Sequence, residues 1–296
     1  MQLTFTPPAN QSAFNLCLEM FNTPHVLIAG TVGSGKSVLL HNFIWSILGR
    51  HFPWENDPDG VQLVLIDPKV VELKKYKGVP HVVRYEYEKQ AIIDALDDVI
   101  RTMDLRYKYM SQNGLTLYDR CYLVVVIDEL GDLMTTNKKE ILPRLQRIAQ
   151  LGRAAKIKLV CASQSPSRKV IPAELTLNFT GLVALHCRSD IESRQIIGVK
   201  GAEKLPKYGF CLATINGGDV EKREIALLHD NDLNERINHW RNQNNGYIQT
   251  ICYSDSKTRK HLKRHSKSVG SIILDIFISV IILFFTYIFI VGALAL

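Results

Sequence analysis

Apolar residues recur along this chain in two rhythms. Runs with almost no polar interruption stand at Val26 to Ala29, Val61 to Ile66, Tyr122 to Ile127, Ile157 to Ala162 and Leu182 to Cys187. Runs of this length, rich in Val, Ile and Leu, predict strands buried on both faces. The segment AIIDALDDVIRTMDLRYKYM instead places Ile92, Leu96, Val99, Met103 and Tyr107 at steps of three and four, one apolar face of a helix. Strands alternating with helices predict βαβ units and a mainly parallel sheet. Asn216-Gly217-Gly218, between FCLATI and EIALL, predicts a hairpin turn at an antiparallel edge of that sheet. NHWRNQNNGYIQT (238–250) reads as a polar linker.

The end of the chain follows neither rhythm. Residues 269–296 read VGSIILDIFISVIILFFTYIFIVGALAL, with one acid, Asp275. Roughly 20 apolar residues cross a bilayer core as a helix, so this run predicts a C-terminal transmembrane anchor. KTRKHLKRHSK precedes it. Basic flanks stay on the cytoplasmic side, which predicts a single-pass protein of the inner membrane with its body in the cytoplasm. Asp275, about one turn into the span, reads as a headgroup-level carboxylate. The first residues, MQLTFTPPAN, carry no secretory signal.

Composition changes the picture in two places. Lys plus Arg 36 against Asp plus Glu 29 gives a net charge of +7. Six bases between 257 and 267 and the single acid Asp275 account for five of those charges. The basic character therefore belongs to the tail and argues only weakly for nucleic-acid binding by the body. The six cysteines are scattered without any C-x-x-C pair, which disfavours a zinc site or a disulfide framework and suits a reducing compartment. Apolar content of 46% supports a sizeable core.

Candidate chemistry begins at HVLIAGTVGSGKS. Gly30 to Ser37 fit G-x-x-x-x-G-K-[ST] between a strand and a helix. Such a loop, here Gly30, Thr31, Val32, Gly33, Ser34, Gly35, Lys36, Ser37 and Val38, turns successive amides toward phosphate oxygens. Lys36 reaches the β- and γ-phosphates and the Ser37 hydroxyl ligates Mg²⁺, so ATP and Mg²⁺ are the expected cofactors. YLVVVIDEL then delivers Asp128 and Glu129 to a strand end beside that loop. Asp128 is expected to hold Mg²⁺ through water, and Glu129 to orient and deprotonate the attacking water. Gln164, at the tip of the strand ending in Ala162-Ser163, can sense the γ-phosphate or the lytic water. A polar strand end meeting solvent is the alternative.

In their order, PHVLIAGTVGSGKS, LIDPKVVELKKYKGVPHVV, YLVVVIDELGDLM, RIAQLGRAAKIKLVCASQSPS and the block from Arg188 to Leu212 resemble the motor domain of FtsK/SpoIIIE-type DNA translocases. The resemblance runs from about Thr23 to Trp240. It implies a RecA-like P-loop NTPase core of the FtsK/HerA branch, assembled as a ring, usually a hexamer, that hydrolyses ATP to thread duplex DNA. By position it makes Asp128 and Glu129 the Walker B pair and Gln164 the sensor. It makes Arg153 the arginine inserted into a neighbour's ATP site, with Arg194 a weaker candidate. A surface arginine is the bland alternative for Arg153. Arg168 and Lys169 are candidate DNA-phosphate contacts, a solvated loop being the alternative. Asp67-Pro68-Lys69 matches a family signature without an evident physical role.

The implied organisation is a lead-in strand region (1–22), the motor (23–240), a polar, basic juxtamembrane linker (241–268) and the anchor (269–296). Family members carry their membrane helices at the N-terminus and a winged helix after the motor, and this chain departs from both. The departures favour packaging or transfer of DNA for a phage or mobile element. The competing readings are an ATPase powering protein export or filamentous-phage-type virion assembly, and a nucleotide-binding scaffold that does no work.

Overall fold

A computed structural model describes residues 11–164 and 170–243. In chain order the elements are α1 (Gln11–Asn22), β1 (His25–Ala29), α2 (Lys36–Arg50), β2 (Val61–Ile66), β3 (Val82–Glu86), α3 (Lys89–Gln112), β4 (Tyr122–Ile127), α4 (Leu130–Thr136), α5 (Lys138–Leu151), β5 (Ile157–Ser163), α6 (Ala173–Thr176), β6 (Gly181–Ala184), α7 (Asp190–Ile197), β7 (Phe210–Thr214), β8 (Glu221–Glu224) and α8 (Asp230–Asn242). The strands form one sheet in the order β3-β2-β4-β5-β1-β6-β7-β8. It is parallel from β3 through β6, and β7 and β8 pair antiparallel at its end.

The continuous apolar runs follow from burial on both faces. Along β2, Val61, Leu63 and Leu65 face the core shared with α1, α2 and α8, while Val64 and Ile66 face the core shared with α3 and α5. In β4, Val124 and Val126 join the first core, and Leu123, Val125 and Ile127 the second. Period-two alternation with both faces covered leaves little room for polar side chains, and exceptions such as His25 in β1, Gln62 in β2 and Lys158 in β5 are themselves buried. In the helix read from its spacing, Ile92, Leu96, Val99 and Met103 are buried as expected. Tyr107 sits at the rim, its hydroxyl donating to the Leu151 carbonyl at 2.7 Å. The hairpin lies where Asn216-Gly217-Gly218 placed it. Asn216 and Gly217 have φ of 53° and 73°, and the Gly218 amide donates to Ile215 O at 3.0 Å, a type I′ turn.

Three expectations need correction, and one strand is new. Residues 11–22 form helix α1 instead of a lead-in strand. The strand expected from Leu182 to Cys187 stops at Ala184, because Leu185 and His186 turn aside to line the loop after β1. Strand β3 was not foreseen: it is a half-buried edge strand without an apolar run. NHWRN is no linker, since it closes α8. Trp240 there is 1% exposed, and its indole N–H donates to Leu48 O at 2.7 Å. Among the described residues no helix is long and apolar enough to cross a membrane, and the expected anchor at 269–296 and basic linker from 244 lie outside them.

Candidate functional site

The loop from Gly30 to Gly35 links β1 to α2, at the C-terminal end of the parallel strands, where open α/β sheets bind ligands. Its shape needs glycine. Gly33 and Gly35 have φ of 72° and 96°, a region that side chains disfavour. A Cβ on Gly30 would lie 2.7 Å from Leu185 Cβ. The Gly30 amide donates to Ser163 O at 3.3 Å and the Thr31 amide to His186 O at 3.0 Å, pinning the loop to β5 and to the chain leaving β6. Gly35 caps α2, whose N-terminal dipole favours an anion. Val32 is exposed at the loop tip, and Ser37 and Val38 are half-buried in the first turn of α2.

Lys36 is buried, and its ammonium donates to the carbonyls of Gly30 at 2.8 Å and Thr31 at 2.7 Å. Burial pushes it down to about 8, opposed by the Glu129 and Asp128 charges. The Ser34 hydroxyl is buried in the loop with no hydrogen-bond partner among the described residues. An ammonium resting on its own loop, a spare hydroxyl and two glycine turns fit a polyphosphate, which would take Lys36 from the carbonyls.

Asp128 and Glu129 follow β4 directly, one strand beyond β5 from the loop. Burial, then the carboxylates of Asp67, Glu72 and Glu129, push Asp128 up to about 7. A carboxylate crowded in this way fits a divalent cation. Among the described residues no three His, Cys, Asp or Glu side chains converge as a protein-only metal cage. Mg²⁺ would therefore be shared between the Ser37 hydroxyl, Asp128 and the nucleotide's own phosphates. Such a cation would neutralise charge on the transferring group.

Glu129 is 2% exposed and held from three sides. It accepts from the Gly131 amide at 3.1 Å as the N-cap of α4, from Ser163 Oγ at 3.2 Å, and from the Gln164 amide at 3.0 and 3.1 Å. Gln164 thus meets Glu129 through its backbone, while its side chain is exposed. Ser163, the last residue of β5, was not foreseen as a partner of Glu129, and only the adjacency of two strand ends reveals it.

The Asp67-Pro68-Lys69 signature acquires a role. Asp67, fully buried at the end of β2, accepts from the Leu73 amide at 3.0 Å, and its carbonyl accepts from the Val70 amide at 3.0 Å. It closes the loop after β2 beside Asp128. Lys69 reaches Asp132 on α4 at 3.1 Å. Although partial desolvation works the other way, Asp132 with Glu129 and Asp128 holds Lys69 above its ordinary value.

Arg153 lies elsewhere. It is exposed in the turn between α5 and β5, at the N-terminal edge of the sheet. Strand β5, seven residues long, separates it from the Glu129 contacts, roughly 20 Å at 3.3 Å per residue. The turn is rigid. A Cβ on Gly152 would meet Ile148 O at 2.6 Å, the Tyr118 amide donates to Ala154 O at 2.9 Å, and buried Arg106 donates to Ala155 O at 2.7 Å. Arg194 is on α7, paired with Asp190 at 2.9 Å. Arg168 and Lys169 lie outside the described residues. Thus Lys36, Ser37, Asp128, Glu129 and Gln164 converge, and Arg153 and Arg194 do not join them.

Residues 1–121 match the FtsK/SpoIIIE family model. The chain is 32% identical to a DNA translocase FtsK of Agrobacterium fabrum, over 81% of this chain and 31% of that protein. It is 35% identical to one from Staphylococcus epidermidis, over 76% and 30%. It therefore spans under a third of the length of these relatives. Among solved structures, the conjugation coupling protein TcpA of pCW3 aligns with a TM-score of 0.64 at 23% identity, over 74% of this chain and 66% of that one. The cytoplasmic domain of the type VII secretion ATPase EccC of Thermomonospora curvata aligns with a TM-score of 0.62 at 22% identity, over 78% and 29%. These two likenesses are of fold: a mixed α/β architecture about a mostly parallel sheet.

Proposed function

We propose that this protein is an ATP-driven DNA translocase working as a ring, with a hexamer the arrangement the family favours, on the strength of its match to the FtsK/SpoIIIE family model and its identity of about one-third to DNA translocases. One observation carries the ring: the P-loop, Asp128 and Glu129 assemble in one subunit, whereas Arg153 is fixed at the far end of the sheet. A guanidinium that cannot serve its own loop can stabilise phosphoryl charge in the next subunit. In each turnover Lys36 and the loop amides bind the phosphates and Glu129 takes the proton of the attacking water, while Ser37 and Asp128 would hold Mg²⁺, which would offset charge on the phosphates.

The residues from 269 would anchor the ring in the inner membrane with the motor in the cytoplasm, in packaging or transfer of phage or mobile-element DNA. Contacts to DNA would be mainly to phosphates, through residues such as Arg168 and Lys169, since a translocase accepts any sequence. Protein export remains the rival, because a secretion ATPase shares the fold. The identity of about one-third to DNA translocases favours DNA.

The test is ATP hydrolysis by the detergent-solubilised full chain with and without duplex DNA, together with displacement of a third strand from a triplex. Stimulation and displacement, both lost in Lys36→Ala, are expected. Turnover indifferent to single- and double-stranded DNA alike would remove the translocase reading.

A further inference from the structure

At the N-terminal edge of the sheet, away from the P-loop, lies a cavity of about 340 Å³. Its lining includes Arg153, Lys156, Lys158, Tyr122, Thr180 and Asn216, and no carboxylate. Three cations share one concavity without a counter-charge in its wall. The Asp59 and Asp119 charges that Lys156 feels lie outside the lining.

The two lysines are fixed in place. Lys158 is buried and donates to the carbonyls of Phe21 at 2.6 Å and Thr23 at 3.1 Å. Lys156 donates to Pro58 O at 2.8 Å and Arg120 O at 3.1 Å. An ammonium has three donors, so each lysine has one beyond these carbonyls, and both ammoniums lie over the Tyr122 ring, at 4.6 and 5.2 Å from its centre. Arg153 makes no side-chain hydrogen bond or ion pair among the described residues, so its five donors are available. Lys158 is pushed down to about 8 by burial and then by the Arg153 and Lys156 charges, the mark of cations held closer than they would settle in water. Lys156 also occupies φ of 51°, a region that costs a side chain free energy. The far rim is equally fixed, because the Gly217 amide of the hairpin turn donates to Thr180 O at 3.3 Å.

We propose that this cavity is a phosphate-binding site, built to take the polyphosphate tail of a nucleotide between Arg153, Lys156 and Lys158. Planar guanidinium and point-like ammonium donors together suit phosphate oxygens. The volume lies within the range of small-molecule sites. The phosphate has two conceivable sources, a free nucleotide or the nucleotide held by the adjacent subunit. The second source rests on the ring reading above.

The probe is inorganic tripolyphosphate, added to the full chain carrying Lys36→Ala so that the P-loop no longer competes. Two variants report on the cavity. Lys156→Gly removes one ammonium and suits the positive φ. Asn216→Asp keeps a residue that tolerates its turn and places a negative charge on the rim. A saturable rise in melting temperature, needing about tenfold more tripolyphosphate in either variant, is expected for a free ligand. If the unassembled protein shows no rise, but Asn216→Asp on an intact P-loop lowers kcat about tenfold in the assembled enzyme with KM unchanged, the neighbour's nucleotide is the source. Absence of both effects overturns the proposal. DNA-stimulated turnover of the unmutated chain, measured in parallel, tests the translocase reading separately.

Discussion

Replacing Glu129 by glutamine separates chemistry from folding. In the structure one carboxylate oxygen, Oε1, accepts from the Gly131 amide, Ser163 Oγ and the Gln164 amide, whereas Oε2 meets only the Gln164 amide. A glutamine with its carbonyl at the Oε1 position keeps all three donors and turns its NH₂ toward the lesser contact. What is lost is the charge assistance, and contacts of 3.0–3.2 Å are long for charge-assisted bonds, so the loss over all of them is about 1–2 kcal/mol. Part of this returns, because the Glu129 charge also opposes ionisation of Asp128. Glu129→Gln should therefore cost about 1 kcal/mol, a fall in melting temperature of roughly 2–4 °C for a body of this size. Glu129→Ala strands the buried Gly131 amide and the partly buried Gln164 amide at about 1–3 kcal/mol each, with the hydroxyl free to rotate away, and should cost about 3 kcal/mol. Turnover should fall by about 10²–10⁴ in both, the contribution of a positioned general base. Thermal melts, steady-state ATPase assays and fluorescent-nucleotide binding measure the three quantities. Glu129→Gln retaining more than about a tenth of wild-type kcat, or melting together with Glu129→Ala, would refute the assignment.

Arg153→Ala should lower kcat by about 10³ while leaving nucleotide binding intact. Mixed with Lys36→Ala subunits it should regain part of the activity, since each variant supplies what the other lacks; mixtures that stay silent would argue against a shared site. Two buried histidines should make the body acid-sensitive, against a partial offset from Asp128, whose raised value gains stability as pH falls below about 7. His25 accepts from the Leu159 amide at 3.1 Å through Nδ1, so protonation there removes a bond. Burial, then the Lys158 charge, pushes His25 down to about 4, and burial does the same for His81. A base held below its unfolded value of about 6.5 leaves stability intact above that pH, and stability is lost as pH falls from 6.5 toward 4. Each histidine should cost up to about 2 kcal/mol by pH 5. His25→Asn keeps an acceptor without titrating, so its urea midpoint should fall less between pH 7 and 5; equal slopes would dismiss the account. Trp240→Ala should cost about 3–5 kcal/mol by urea denaturation, whereas a helix end merely resting on the surface would cost under 1.

Much of this was legible in the sequence because it depends on local rules. The P-loop is a contiguous motif, and Asp128-Glu129 follow an unbroken apolar run that can only be a central strand. The hairpin is written in Asn216-Gly217. What stayed hidden depends on neighbours distant in sequence. Ser163 meets Glu129 because β4 and β5 are adjacent, and no spacing in the chain states that adjacency. Lys69 finds Asp132 across two strand ends for the same reason. The polar stretch NHWRN reads as linker because burial of α8 rests on few apolar positions, namely Leu233, Ile237 and Trp240, supported by Arg236 over the Trp45 ring at 3.5 Å. The short Gly181–Ala184 strand was overextended because Leu185 and Cys187 are as buried as strand residues. Their burial comes from walling the phosphate loop instead.

The polarity of the sheet restricts how copies can cooperate. The carboxylates and the phosphate loop stand at the C-terminal ends of the parallel strands, and Arg153, Lys156 and Lys158 at the N-terminal ends. A two-fold dimer joins a patch to itself. Joined through the Arg153 face, it would set three cations against three, with neither guanidinium reaching a phosphate. Joined through the loop face, it would oppose Asp128 and Glu129 to their own copies. Only a head-to-tail contact brings the cationic end of one subunit to the anionic end of the next. Such a contact repeats until it closes as a ring or runs on as a filament. A shared hydrolytic site in this fold thus implies head-to-tail assembly, and turnover that depends on protein concentration is its direct kinetic signature.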